Sequence, residues 1–185
     1  MMGTKRRAVL LDRDGVINRT FVRDGVTYPP RTLKEFEFLP GVLEATKRLA
    51  DADWLLVVVT NQPDVARGTQ TREAIEAMNR EVTTFLPVLE VFTCWHDSSA
   101  GCECRKPKPG LLLDAARRWG FDLRQSIMVG DRWSDVEAGQ AVGCFSILVD
   151  NPFGGAERCK PDKSVRDLAE AADWIIRTFS RRDAA

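Results

Sequence analysis

One histidine, His96, is all that the 185 residues contain, and this scarcity removes a large part of hydrolytic chemistry. If His96 is taken up by a metal, no imidazole is left as a general base, so Ser-His-Asp and Cys-His mechanisms have no base to use. Net charge is also missing, because 27 basic residues balance 27 acidic ones. No overall field then draws the chain toward nucleic acid or a membrane surface, and attraction for a substrate has to be local. Neither a basic stripe nor interleaved aromatics of the kind that grip nucleic-acid strands is present. No run approaches the ~18 apolar residues of a spanning helix. The N-terminal stretch is basic but reaches Asp12 directly after the short apolar run Ala8–Leu11, which is no signal-peptide core. These absences lead to the expectation of a cytoplasmic protein, a monomer, with neither membrane nor nucleic-acid partners.

What is present begins with cysteine. There are five, an odd number. Cys94, Cys102 and Cys104 fall within eleven residues, with His96 among them, while Cys144 and Cys159 stand apart. In a cytosolic chain such a cluster points to a metal before a disulfide.

Short apolar runs alternate with helical patterns. Residues 8–11, 55–59, 88–92, 127–129 and 145–149 read as buried strands. Helices are expected from Pro40 to about Asp53, from a Thr71 cap to about Leu86, from near Pro109 to Gly120, from Ser134 to about Val142, and over 165–179. The alternation predicts an α/β fold: three layers, Rossmann-like, with a mainly parallel sheet covered by helices on both sides and no large cap domain. The chain is read as one domain, 1–185, with its core at 7–150. The connections 18–39 and 93–108 are long, and long loops in compact domains are often functional. Ligands of such sheets sit beyond the carboxyl ends of the strands.

Several groups converge on that edge. The first strand runs into Asp12-Arg13-Asp14-Gly15, two carboxylates suited to a hard cation and to covalent and acid–base work. The second ends in Thr60-Asn61-Gln62, where Thr60 can donate to a phosphate oxygen and Asn61 can position it. Arg105-Lys106 precedes a helix N-terminus, a favourable place for an anion. Gly130-Asp131-Arg132 closes the fourth strand and brings a third carboxylate, and an all-oxygen set favours Mg²⁺ over zinc. Each signal alone has a bland reading as a turn, a cap or solvated charge. Together, at one sheet edge, they point to phosphoryl chemistry.

The ordered set Asp12-x-Asp14-Gly15-Val16-Ile17-Asn18, Thr60-Asn61-Gln62, Arg105-Lys106-Pro107 and Gly130-Asp131-x-x-x-Asp135 resembles the four motifs of the haloacid dehalogenase-like phosphatases. Cys94-x-His96 followed by Cys102-x-Cys104 resembles the zinc loop of the heptose-bisphosphate phosphatases in that superfamily, and of the related histidinol-phosphate phosphatases. The resemblance implies Asp12 as the nucleophile, Asp14 as acid and then base, and Thr60 and Lys106 as holders of the phosphoryl group. It implies Mg²⁺ on the side chains of Asp12 and Asp131 and the backbone carbonyl of Asp14. Structural Zn²⁺ would be held by Cys94, His96, Cys102 and Cys104. Substrate contacts would come from Thr20, Phe21, Val22, Arg23, Asn61, Gln62, Arg105 and Arg132. The implied reaction is hydrolysis of a small phosphomonoester, foremost the 7-phosphate of a heptose bisphosphate, with histidinol phosphate as the alternative substrate. A non-catalytic zinc-containing interaction module is the rival of another class, and the intact set Asp12, Asp14 and Asp131 argues against it. Three features depart from the pattern: Pro63-Asp64 where Ser-Gly is usual, Arg132 where lysine is frequent, and only five residues between His96 and Cys102.

Overall fold

Along Ala8–Leu11 alternate side chains go to opposite sides: Val9 and Leu11 into one apolar cluster, Ala8 and Leu10 into another. Leu55–Val59 divides in the same way, with Leu56 and Val58 on the first side and Leu55, Val57 and Val59 on the second. A strand whose two faces are both buried needs apolar residues throughout, which is why these segments read as unbroken runs.

The computed structural model describes residues 6–23 and 25–179. Residues 1–5, Asp24 and 180–185 lie outside the described residues, and with them part of the basic N-terminus and of the expected 1–185 domain. In chain order the elements are β1 (Ala8–Leu11), β2 (Phe21–Arg23), β3 (Val26–Tyr28), α1 (Val42–Asp51), β4 (Leu55–Asn61), α2 (Pro63–Ala66), α3 (Arg72–Phe85), β5 (Val91–Cys94), α4 (Gly110–Trp119), β6 (Ile127–Gly130), α5 (Trp133–Gln140), β7 (Phe145–Val149), β8 (Lys163–Val165) and α6 (Leu168–Phe179), with short 3₁₀ turns between. Six strands form one sheet in the order β5-β4-β1-β6-β7-β8, and every pairing in it is parallel. The fold is therefore three-layered α/β. The first cluster is filled by α1, α6 and the end of α3 through Val42, Leu49, Val82, Leu168 and Ile175. The second is filled by α4 and α5 through Leu111, Leu112, Ala115 and Ala138. No helix among the described residues is long and apolar enough to cross a membrane.

Local signals act where expected. Thr71 caps α3 by accepting the Ala74 amide at 3.2 Å, and Gly120 closes α4 in the left-handed conformation. Two expectations need correction, and two further elements were not foreseen. Strand β5 covers 91–94 rather than 88–92, because Leu86 and Val88 pack under the sheet edge as a buried connection. The last helix, expected over 165–179, begins at Leu168, and Lys163–Val165 form a sixth sheet strand paired to β7 from Ile147↔Lys163 to Val149↔Val165. The 18–39 connection contains an antiparallel hairpin, β2–β3, and α2 follows Gln62 with Pro63 at its first turn.

The chain leaves β1 for β4 on one side and returns to β6 on the other, so β1 ends at the point where the strand order reverses. Asp12 stands there, still bonded to β6 through its amide, which donates to the Val129 carbonyl at 2.9 Å.

Candidate active site

Beyond β1 the chain turns within four residues. The amides of Ile17 and Asn18 both donate to the Arg13 carbonyl, and Gly15 sits at φ +90°. A Cβ at Gly15 would fall 2.1 Å from an Asp131 carboxylate oxygen. Glycine is required here both for the backbone conformation and for the close approach of a side chain from β6.

The turn gives Asp12 and Asp14 different surroundings. Asp12 is 7% exposed, and burial raises its pKa from 3.8 to about 6, with Asp135 and Asp14 adding to the rise and Lys106 opposing it. Asp14 is surrounded by donors. Arg13 Nη2 lies 3.1 Å from each of its carboxylate oxygens, Asn18 Nδ2 donates at 2.9 Å and Gln62 Nε2 at 2.6 Å. Arg13 itself is fully buried and is anchored from α3 by Asn79 Oδ1 at 2.8 Å.

Lys106 is 3% exposed, and its Nζ reaches Asp12 Oδ1 at 2.9 Å, Asp135 Oδ1 at 2.6 Å and the Val59 carbonyl at 2.7 Å. Burial acts to lower its pKa, but Asp12 and Asp135 outweigh that and hold it above the ordinary lysine value, so the ammonium is charged. Its backbone is clamped by Asn61, which donates to the Lys106 carbonyl at 3.0 Å and accepts from its amide at 3.1 Å. Asp135 was legible only as the last letter of the Gly130–Asp135 motif and had no role assigned. It caps α5 by accepting the Arg132 amide at 3.0 Å, and a Cβ at Gly130 would overlap it.

Asp12, Asp131 and Asp135 bring one oxygen each within 4.8 Å of one another, and the Lys106 ammonium pairs with the first and the last of them. Asp131 is 2% exposed, and its pKa is well above the ordinary value through burial and then through Asp12 and Asp135. One of its oxygens accepts from Asn151 Nδ2 at 2.6 Å, while Oδ1 has no hydrogen-bond partner and only a 4.0 Å ion-pair contact with Arg132 Nε. Excess buried negative charge with an orphaned carboxylate oxygen fits a small hard cation. Both oxygens of Asp135 are already occupied and the Asp14 side chain is held by its donors, so the spare side-chain capacity lies on Asp131 and Asp12.

A second cluster lies at the end of β5. The sulfurs of Cys94, Cys102 and Cys104 are 3.3 to 3.7 Å apart, and His96 Nδ1 is 3.3 Å from Cys104 and 3.7 Å from Cys94. Ligands about 2.3 Å from a tetrahedral zinc are separated by roughly 3.7 Å, so this donor set fits that ion. Without a cation, burial and the neighbouring thiols push Cys104 up to about 12. Arg105, next along the chain, donates to the His96 carbonyl at 3.2 Å.

A cleft of about 530 Å³ opens above these groups. Of the residues singled out in the sequence, Asp12, Asp14, Thr20, Thr60, Asn61, Arg105, Lys106 and Arg132 line it. Phe21, Val22 and Arg23 do not. The hairpin turns β2 outward, Val22 being 55% exposed, and presents Val26–Pro29 of the returning strand as the wall instead. Gln62 is also corrected: it is 1% exposed behind the cleft, bonded to Asp14 and Thr60. The polar atoms of Asn61 are engaged by the Lys106 backbone. Asp64, noted above only as a departure from the pattern, lines the cleft too, and so do Arg67, Ser98 and Trp133, which no motif in the sequence aims there.

A family model described as HAD-hydrolase-like matches residues 103–171. The D-glycero-beta-D-manno-heptose-1,7-bisphosphate 7-phosphatase of Bordetella bronchiseptica is 40% identical over 180 residues, 92% of this chain and 98% of that one. Its counterpart in Pseudomonas aeruginosa is 38% identical over 161 residues, 84% and 88% of the two chains. The crystal structure of the D,D-heptose 1,7-bisphosphate phosphatase from B. bronchiseptica, complexed with magnesium and phosphate, superposes with a TM-score of 0.79 at 34% identity, covering 93% of this chain and 98% of that one.

Proposed function

Because this chain belongs to the HAD-like hydrolases and is a phosphatase, we propose that it removes the 7-phosphate of D-glycero-D-manno-heptose 1,7-bisphosphate through a covalent intermediate on Asp12. The observation that carries this reading is the buried group of Asp12, Asp131 and Asp135, of which Lys106 pairs with the first and the last, while Asp131 Oδ1 has no hydrogen-bond donor. Such a floor requires a cation and offers a nucleophilic carboxylate directly beneath a polar cleft.

In the first step an Asp12 carboxylate oxygen forms a bond to phosphorus while the bond to the sugar oxygen breaks, and that oxygen takes a proton from Asp14. In the second, water attacks phosphorus, Asp14 accepts its proton, and the bond to Asp12 breaks to regenerate the carboxylate. Arg13, Asn18 and Gln62 hold Asp14 at one side of the nucleophile. Thr60 and Lys106 supply donor and charge for the phosphoryl oxygens. Mg²⁺ held by Asp12, Asp131 and the Asp14 carbonyl would neutralise the charge that otherwise repels a phosphate from this floor. Zn²⁺ on Cys94, His96, Cys102 and Cys104 would have all four positions filled by protein and so serve structure, fixing the loop that carries Arg105 and Lys106. We place the protein in the cytoplasm as a monomer, where its thiols stay reduced.

Of the two anomers we propose beta, the one named for both relatives cited. Histidinol phosphate is the second reading, favoured by the short span between His96 and Cys102. Side-by-side kinetics separate them. We expect kcat/KM for the heptose bisphosphate to exceed that for histidinol phosphate by at least ~100-fold, about the contribution of two charge-assisted contacts to a second phosphate. The reverse ranking would transfer the assignment.

A further inference from the structure

Trp133 stands directly after the Asp131-Arg132 pair as the first residue of α5, and it lines the cleft. No step of the chemistry needs it. Its placement is nevertheless tightly determined. The guanidinium carbon of Arg158 lies 3.6 Å from the indole centroid, covering one face. Gly155, at φ +71°, passes so close that a Cβ there would come within 2.8 Å of Trp133 Cδ1. The Trp133 amide donates to the Gly154 carbonyl at 2.9 Å. A Cβ on Gly154 would in turn fall 2.1 Å from the Asp131 carbonyl oxygen. The 151–158 segment thus packs against the metal-facing strand end and the indole at once, and it backs the indole from outside. Trp133 lines the cleft while Arg158 and Gly155 do not, so these two meet the indole from outside the cleft.

Next to it, Arg132 Nη2 donates to Thr27 Oγ1 at 2.6 Å and joins the hairpin to α5. The rest of the wall is mixed: Asp64, Arg67, Ser98 and Arg105 are polar or charged, while Val26, Tyr28, Pro29 and Pro63 are largely apolar. A fixed aromatic face in a cleft of this polarity matches a ligand that is polar at its edges and carries C–H groups on a flat side. A pyranose has that shape. Its axial hydrogens bear slight positive charge and suit the negative face of the indole, while its hydroxyls reach the polar wall.

We propose that Trp133 is a specificity-determining platform against which the C–H face of the sugar ring packs, with Arg158 holding the indole in place. This rests on the reading of the substrate as a sugar phosphate. It deepens that reading by naming the ring, and not only the phosphates, as something the protein recognises.

The test compares a ring substrate, heptose 1,7-bisphosphate, with an acyclic one, acetyl phosphate, in wild type, Trp133→Ala, Trp133→Phe and Arg158→Ala. The readout is the ratio of kcat/KM for the ring substrate to that for the acyclic one. Trp133→Ala should lower this ratio about tenfold, mostly through KM for the ring substrate, and Trp133→Phe should restore most of it. Arg158→Ala should lower it about threefold by freeing the indole. In Asp12→Asn protein, which binds without turnover, heptose bisphosphate should quench tryptophan emission, and Trp133→Phe in that background should abolish the quench. A tryptophan that only props up the 151–158 segment would depress both substrates alike, and an unchanged ratio overturns the platform while the substrate reading stands. Wild-type protein that cleaves acetyl phosphate but no heptose phosphate would overturn both.

Discussion

Asp135 places one carboxylate oxygen 2.6 Å from Lys106 Nζ and the other 3.0 Å from the Arg132 amide, so a single side chain orients the site's ammonium and caps the helix behind it. Both groups are almost fully buried, at 1% and 3% exposure. Removing one partner of a buried pair leaves the other under-compensated. Asp135→Ala should therefore destabilise the protein by about 3–5 kcal/mol in urea unfolding. It should also lower kcat roughly 100-fold as Lys106 shifts from its place over Asp12. Stability and kcat near those of the parent would show that Asp12 alone positions the lysine.

Asp12→Asn keeps the shape of the proposed nucleophile and removes its anionic oxygen. Turnover should fall by several orders of magnitude, and circular dichroism and the unfolding midpoint should show the fold intact. Activity within tenfold of the parent would rule out the covalent route.

Arg13→Lys replaces two aligned donors to Asp14 by a point charge and cuts the anchor to Asn79. On the proposed role of Asp14 in proton transfer, kcat should drop about tenfold or more with KM close to the parent's, and the pH profile of kcat should move. A change confined to KM would place Arg13 in substrate binding instead.

Asp12 is more basic in the folded chain, at about 6, than its ordinary 3.8, and Asp131 is shifted in the same direction. The native state therefore binds these protons more tightly than the unfolded one. Stability from these groups is greatest below pH ~4 and declines as pH rises to ~6, a cost on the order of 3 kcal/mol for Asp12 that persists at neutral pH. A bound cation offsets it. Adding Mg²⁺ to EDTA-treated protein should raise Tm more at pH 7.5 than at pH 5, and Asp131→Asn should shrink that difference. An equal Mg²⁺ effect at both values would argue that the cation binds elsewhere.

Elemental analysis of purified protein should find one zinc per chain. Cys102→Ser should lose it and lower kcat on the order of 100-fold, because Lys106 lies two residues beyond Cys104, while the Mg²⁺ requirement remains. Wild type without stoichiometric zinc, or a zinc-free variant with unchanged kinetics, would refute this role of the loop.

The sequence by itself determined the sheet and its working edge. Strands buried on both faces must be apolar at every position, so residues 8–11, 55–59, 127–129 and 145–149 were legible, and the residues just past them marked where a ligand sits. It did not determine the hairpin at 21–28 or the strand at 163–165, whose short, exposed or mixed patterns carry no period of their own. The two hairpin strands take each other as backbone partners, and 163–165 adds to the edge that β7 offers. Nor could it say that Lys106 meets Asp135, that Arg13 is buried against Asn79, or that Arg158 backs Trp133. These pairs lie 29, 66 and 25 positions apart in the chain. Charge and aromatic type are local properties of a residue, but which partner stands a few ångströms away is set by how the loops after the strands pack against α3 and α5.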